Sequence, residues 1–551
     1  RNILQQKTFP RVRAYCRERG ASFQAIDLRW GVSGEASLDQ QTMNICLDEI
    51  RRCQKITPRP NFVVLLGQRY GWRPLPPQVP QGDFEKIRDW VRAHDADGAE
   101  LLEQWYRRDD NAVPPEYLLL PRAPDGPYAD RVRWRSVENV LQKIFCAGAE
   151  AIGLGGKALL PYCASASHRE IAAGALSVQN PQDKVLCVFR EIEGTPADTD
   201  GNPAAGAENY IDRDQSEIEA LKSELSGLPT LNYTARWCGT RKRPTSDHLE
   251  ALADQVYHAL CRQIDRELRN PTEPEPLRTP AIQPDAALET EDRAHHDVLE
   301  GHLQHFVGRD TILTQITGYI NADSARPLVV FGEGGTGKSA LLAKAIERIR
   351  QAHPGAPIIY RFIGATPAAA STRTLLHNLC LELCRHCGTD RSEVPDTYNE
   401  LSRYFRDRLA HPPSSSSPLV VILDGLDQIP GEDPGRNLVW IPPKLTANLR
   451  LILSTRPGAA LETLRRRGVN ELELSGMSDK EGDELLDAWL GAVGRKLQEQ
   501  QAAEVKVKFA QSGSRPLYLR MAFEEARCWR SWDPPKSLTP DLEGLIRYDM
   551  F

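Results

Sequence analysis

Residues 328–345, LVVFGEGGTGKSALLAKA, limit the possible folds more than any other stretch of the chain. The first four residues are a short apolar run of the kind found in buried parallel strands. Gly332, Gly334, Gly335 and Gly337 follow, then Lys338 and Ser339. From Ala340 onward, ALLAKAIERI has the composition of a helix. A strand that runs through a glycine loop into a helix is one βα unit, and such units assemble through parallel crossovers.

The spacing from Gly332 to Gly337, Lys338 and Ser339 also completes the phosphate-loop pattern. The glycines let backbone N–H groups wrap a phosphate. The helix after them turns its positive end toward the same anion. Lys338 would reach the β- and γ-phosphates, and Ser339 would offer a hydroxyl ligand to Mg²⁺. Thr336 within the loop and Ala340 at the helix start complete the nucleotide-binding set. A glycine-rich turn that binds nothing is the plainer alternative, and the strand-before, helix-after context argues against it.

Such a loop calls for an acidic partner on another strand, and PLVVILDGLDQI supplies one. Asp424 ends the apolar run, where its carboxylate would hold Mg²⁺ through water. Asp427 would orient or deprotonate an attacking water. Two loop aspartates at a strand end are the alternative. A further run, LRLILSTRP, brings Ser454, Thr455 and Arg456 to a strand's carboxyl end, where open α/β sheets place their sites. Arg456 would sense a γ-phosphate there, or stand as a surface arginine.

Around this unit, strands expected at 328–331, 358–362, 419–423, 451–454 and 471–474 make a parallel sheet within a domain spanning 299–475. HPPSSSSP, just before Leu419, reads as a flexible loop. From 476 the strand signals stop and helical patterns run to 551. The first begins with Ser478 and Glu481 at capping-box spacing. The tail DLEGLIRYDMF stops in mid-pattern, so 476–551 reads as a truncated helical domain. Residues 269–298 read as a Pro-rich linker and a polar helix, with His295 and His296 facing solvent.

Residues 1–268 form a second α/β domain. FQAIDLRWGV at 23–32, NFVVLLGQRYGW and KVLCVFREI predict strands, and QTMNICLDEIRRCQ and SHREIAAGAL predict helices. A long insertion, about 73–164, separates the second and third strands. It is helical in FEKIRDWVRAH and Pro-rich elsewhere.

FVGRD before the phosphate loop, then VVFGEGGTGKSAL, VILDGLDQI and ILSTRPG in this order resemble the NACHT branch of the STAND ATPases, signal-transducing relatives of the AAA+ machines. The resemblance implies a P-loop NTPase fold that binds ATP or ADP with Mg²⁺. SGSRPLYLRMAFEEAR resembles the helical lid after that core, leading toward a winged helix. By the same resemblance Pro516 approaches the nucleotide base, and Val307, Gly308 and Arg309 border it. Many such motifs carry glutamate where this chain has Gln428, which implies slow hydrolysis.

AIDLRWGVSGEAS, NICLDEIRRC, FVVLLGQRYGWRPLP and WYRRDDNAVPPEYLL resemble the N-terminal region of NACHT and WD-repeat proteins and the telomerase-associated protein. That implies a TIR-like, flavodoxin-like parallel sheet. It also implies a preceding strand, without which the sheet lacks an edge or central strand. TIR NADases place a glutamate on the helix after their third strand, and Glu170 stands in roughly that place. A carboxylate there would stabilise an oxocarbenium-like state, or Glu170 is a surface or helix-pairing residue. Asp27, Arg29 and Trp30 line a pocket or pack the sheet end. Ser167 and His168 are adjacent on a helix, diverge by about 100°, and so make no nucleophile–base pair.

The implied partners are ATP, a second copy on activation, and a protein trigger sensed by a further C-terminal region. Net charge of −6 over 551 residues gives no field that would draw nucleic acid or an anionic membrane. No apolar run nears the ~20 residues of a membrane span. Twelve cysteines lack disulfide-framework spacing, which suits a cytoplasmic setting. Cys380, Cys384 and Cys387 resemble an iron–sulfur spacing, but they fall with His377 on one helical face and read as packing residues.

Overall fold

The computed structural model describes residues 1–28, 38, 40–57, 59–195, 206–212, 214–269, 284–304, 306–366, 369, 371–412 and 418–546, the side chains of 269, 284–287 and 542 excepted. The expected strand residues Arg29 and Trp30, most of the Pro-rich linker and most of the serine loop before Leu419 lie outside that set. The chain divides into two units, Arg1–Asp109 with Pro114–Arg278, and Asp110–Val113 with Thr279–Phe551.

The first unit opens with helices α1 (Phe9–Arg17) and α2 (Thr42–Ile56) and strand β1 (Phe62–Leu66). The insertion then supplies β2 (Gln78–Pro80), α3 (Gln81–His94), α4 (Ala96–Trp105), β3 (Tyr106–Asp109), β4 (Glu116–Leu119) and α5 (Arg131–Ala151). Next come α6 (Ala166–Ile171), β5 (Val185–Glu193), α7 (Ser216–Glu224), β6 (Thr230–Cys238), β7 (Arg243–Pro244) and α8 (Leu249–Arg269). The main sheet runs β1-β5-β6-β7, parallel up to β6 and antiparallel at β7. Strand β5 divides its side chains by the two-residue period of a strand. Val185 and Cys187 join Val64, Leu66 and Ile218 on one face, while Leu186 and Val188 join Val12, Val256 and Leu260 on the other.

Two sequence expectations change here, and one strand was not foreseen. The strand expected at 23–32 does not form over its described residues, 23–28, although their exposure alternates as a strand's would. Phe23 and Ile26 line a cavity of about 460 Å³ together with Val63 and Leu65 of β1, and among the described residues no ladder joins them to that strand. Strand β6 was not legible in TLNYTARWC, whose alternation is broken by polar residues. The insertion is also a small α+β body, not helices joined by Pro-rich chain. Its antiparallel sheet β2-β4-β3 packs with α3, α4 and α5 around Phe84, Ile87, Trp105 and Phe145.

The second unit contains α9 (Pro284–Leu303), α10 (Asp310–Asn321), β8 (Leu328–Phe331), α11 (Lys338–Ala352), β9 (Ile358–Phe362), α12 (Thr372–Cys387) and α13 (Tyr398–Ala410). Strands β10 (Leu419–Asp424) and β11 (Leu449–Thr455), helix α14 (Ala459–Arg466) and strand β12 (Asn470–Glu473) complete the sheet domain. The sheet is wholly parallel, in the order β12-β8-β11-β10-β9. Central β10 and β11 are buried at every position, as strands covered on both faces must be. Val421 and Leu423 pack toward Leu379, Phe405 and Trp440, while Val420 and Ile422 pack toward Leu341, Leu342 and Ile346. Helices α15 (Asp479–Ala492), α16 (Glu499–Gln511) and α17 (Pro516–Ala526) share a core of their own around Leu486, Phe509, Tyr518 and Phe523.

Cys380 and Cys384 are buried packing residues on α12, as their helical spacing implies. His295 overturns the solvent-facing expectation, since it is 0% exposed. Helix α9 covers the edge strand β9, where His295 Nδ1 accepts the Phe362 amide at 3.2 Å and Nε2 lies 3.2 Å from Glu291. A polar-looking helix thus buries its histidine because an edge strand has amides to satisfy. Arg361 of β9, 3% exposed, pairs there with Asp292 at 2.6 Å and Glu382 at 2.7 Å. No helix among the described residues is long and apolar enough to cross a membrane.

Candidate functional site

The loop from Gly332 to Gly337 leaves the carboxyl end of β8 and enters α11. Gly335 and Gly337 hold φ of +80° and +91°, values that favour glycine. Gly332 is fixed by space: a Cβ there would strike the carbonyl oxygen of Leu474, just beyond β12. A Cβ on Gly334 would sit 3.5 Å from the Arg456 guanidinium carbon. Buried Thr336 braces the loop, donating from Oγ1 to Glu333 O at 2.9 Å. Lys338 donates to Gly332 O at 2.7 Å and Glu333 O at 2.9 Å, folding its ammonium over the loop. Burial lowers the Lys338 pKa, against the pull of Asp427 and Asp424. Ala340 follows within the first turn of α11.

Asp424 ends β10 and is 4% exposed. Ser339 Oγ donates to its Oδ2 at 2.6 Å, and the Ser454 hydroxyl donates to its Oδ1. Ser454 in turn accepts the Gly425 amide at 2.8 Å. Burial raises the Asp424 pKa, and the two hydroxyls work against that shift. Asp427 accepts the Arg456 backbone amide at 3.1 Å and lies 3.1 Å from its Nε. Gln428 is exposed and turns its side-chain amide toward Gly364 and Gly425. A hydroxyl and a carboxylate converging beside a folded-back lysine are the donor set that suits a divalent cation next to phosphate.

The helical segment meets the loop directly. The Leu517 amide donates to Gly335 O at 3.3 Å, and Pro516 Cγ lies 3.7 Å from where a Cβ on Gly337 would stand. A cavity of about 350 Å³ opens beside them, lined by Gly334, Ser512, Arg515, Leu517 and Asp541. Val307, Gly308 and Arg309 precede α10, with the Arg309 amide on Glu481. The tertiary structure therefore brings the loop, Asp424, Asp427, Arg456 and Pro516 to one end of one sheet. Leu517, Arg515 and the Glu481–Arg309 contact were not legible, because each depends on how the helices fold back over the loop.

Residues 326–492 match the NACHT domain. The match takes in Lys338, Ser339, Asp424 and Arg456, whereas 307–309 and Pro516 lie outside it. Over 96% of its length the chain is 27% identical to NACHT domain- and WD repeat-containing protein 1 of Homo sapiens, and it spans 35% of that protein. Telomerase protein component 1 of Rattus norvegicus is 22% identical over 97% of this chain and 18% of its own length. Among solved structures, a Signal Transduction ATPase with Numerous Domains protein from Pyrococcus horikoshii, 17% identical, aligns over 40% of this chain and 30% of that one at a TM-score of 0.26. Within 326–492 the motifs, the site geometry and the family match coincide.

In the first unit Glu170 and Asp27 line the 460 Å³ cavity together. Burial raises the Glu170 pKa against the influence of Arg1, which also lies 3.5 Å from Asp27. His168 bonds Tyr70 through Nδ1 at 2.8 Å, so its ring has a partner other than Ser167. Cys146 and Cys163 are joined in a disulfide, correcting the expectation of unpaired cysteines. With Glu150 they form the potential metal-ligand group found among the described residues, but the disulfide takes up both thiols.

Proposed function

We propose that the chain is a STAND-type regulatory ATPase that binds ATP with Mg²⁺ and uses nucleotide state to control self-association. The observation that carries this is the meeting of the Ser339 hydroxyl and the Asp424 carboxylate at 2.6 Å beside the Lys338 ammonium, at the carboxyl end of a parallel sheet. Ser339 and Asp424 would hold the magnesium, Lys338 and the loop amides the phosphates, and 307–309 with Pro516 the base. Bound Mg²⁺ would supply charge neutralisation at the phosphates. Arg456 would read the γ-phosphate, and Asp427 would orient water. The working division is a signalling domain at 1–268, a linker and helix at 269–298, a NACHT domain at 299–475 and a helical lid at 476–551, acting in cytoplasmic defence or cell-death signalling.

ATP binding by the wild type and by Lys338→Ala, together with solution mass in ATP and in ADP, tests this reading. Equal ATP affinity in the two proteins, or one mass in both nucleotides, would overturn it. ATP turnover above the Lys338→Ala baseline separates a switch from a scaffold that merely holds nucleotide.

A second reading concerns the first unit as a TIR-like, NAD-cleaving effector. It is supported by Glu170, a half-buried carboxyl, sharing a cavity with Asp27. Nicotinamide release from NAD by the wild type and not by Glu170→Gln is the outcome it requires.

A further inference from the structure

Glu481 sits in a capping box, and the box explains only half of its contacts. Its Oε2 accepts from the Ser478 amide and the Ser478 hydroxyl, each at 2.9 Å, and Ser478 Oγ accepts the Glu481 amide at 3.3 Å. That closes the first turn of α15. The other oxygen, Oε1, accepts the backbone amide of Arg309 at 2.7 Å. Helix capping does not require this second bond.

What it holds is an uncommon piece of backbone. Gly308 and Arg309 are consecutive left-handed residues, with φ of +71° and +63°. A non-glycine residue persists there only when its surroundings fix it. The Arg309 guanidinium donates to Gly476 O at 3.0 Å and Ser475 O at 2.9 Å, so this side chain and its own amide both reach residues 475–481. Gly308 suits its positive φ, and a Cβ there would lie 2.7 Å from Glu481 Cγ, so a larger residue would displace that side chain.

We infer that Glu481 is a positioning residue for the nucleotide base. It sets the strap of Val307, Gly308 and Arg309 and ties that strap to the first turn of the lid, so base recognition and lid position are coupled through one carboxylate. The inference rests on the reading that 307–309 borders the base.

The test compares ATP and GTP affinities, by calorimetry with Mg²⁺ present, in the wild type, Glu481→Ala and Ser478→Ala. Ser478→Ala removes the cap but leaves Oε1 on the Arg309 amide. Both variants lower the melting temperature. Loss of a charge-assisted hydrogen bond predicts about tenfold weaker ATP binding in Glu481→Ala, with the ATP-to-GTP preference moving toward one. Ser478→Ala keeps that preference within about twofold. An equal shift in both variants, or an unchanged preference in Glu481→Ala, overturns the inference. A wild type that binds neither nucleotide sinks the nucleotide reading itself, and that outcome is distinct from the other two.

Discussion

Asp427 and Arg456 hold each other at the mouth of the phosphate loop. One carboxylate oxygen accepts the Arg456 backbone amide at 3.1 Å, and the other lies 3.1 Å from Nε of the same residue. The arginine that would read a γ-phosphate is thus tied to the aspartate that would orient water, and moving one moves the other.

Asp427→Ala should lower ATP turnover at least tenfold while ATP affinity changes by less than about threefold, and Asp427→Ala with Arg456→Ala should be little worse than either alone. The Arg456 side chain is 59% exposed, so the pair itself should contribute less than about 1 kcal/mol to stability. Steady-state turnover and thermal melts check this, and fully additive losses would show that the two residues act apart.

Ser454→Ala should destabilise the parallel-sheet domain by roughly 1–3 kcal/mol, because it leaves the buried Gly425 amide without its acceptor and takes a donor from Asp424. Urea unfolding reads the loss directly. A change below about 0.5 kcal/mol would mean that another group takes over both bonds.

Gly332→Ala should cost about 1–3 kcal/mol, since the added methyl meets the Leu474 main-chain carbonyl and not a side chain that can swing away. The melting midpoint should fall by several degrees even without nucleotide. An unchanged midpoint would mean that the chain after β12 moves freely.

Acid stability should depend on the buried charges beside β9. Burial, with Arg361 nearby, lowers the His295 pKa from 6.5 to about 4. The unfolded chain therefore takes a proton first, and stability is lost as pH falls from about 6.5 toward 4. Burial raises the Glu382 pKa from 4.5 to about 7 against the pull of Arg361, so its contribution is present at low pH and lost as pH rises through that window. The two oppose each other. Glu382→Gln should leave the His295 loss unbalanced and make stability between pH 7 and 5 fall more steeply than in the wild type, by on the order of 1–3 kcal/mol. Urea midpoints at the two pH values decide it; parallel wild-type and variant curves would contradict the assignment.

Several elements were legible for identifiable reasons. Strands β8 and β10 were legible because a strand covered on both faces leaves an uninterrupted apolar signal, as LVVF and LVVIL do. The capping box at Ser478 and Glu481 forms as its spacing requires. Strand β6 and the sheet of the insertion were missed, since their strands are short or broken by polar residues and take their pairing from distant partners. His295 looked solvent-facing because nothing in its local sequence records the edge strand that it covers.

The sequence by itself determined the phosphate loop, the strand that ends in Asp424 and the helical character of residues 479–526, because local period, glycine conformation and residue chemistry are written within a few neighbouring positions. Only the tertiary structure decided that Ser339 and Ser454 clamp Asp424 from two sides, that Asp427 engages Arg456, and that Glu481 reaches back to Arg309. Those contacts join residues separated by 29 to 172 positions, and their geometry comes from sheet order and helix packing, which no local pattern encodes.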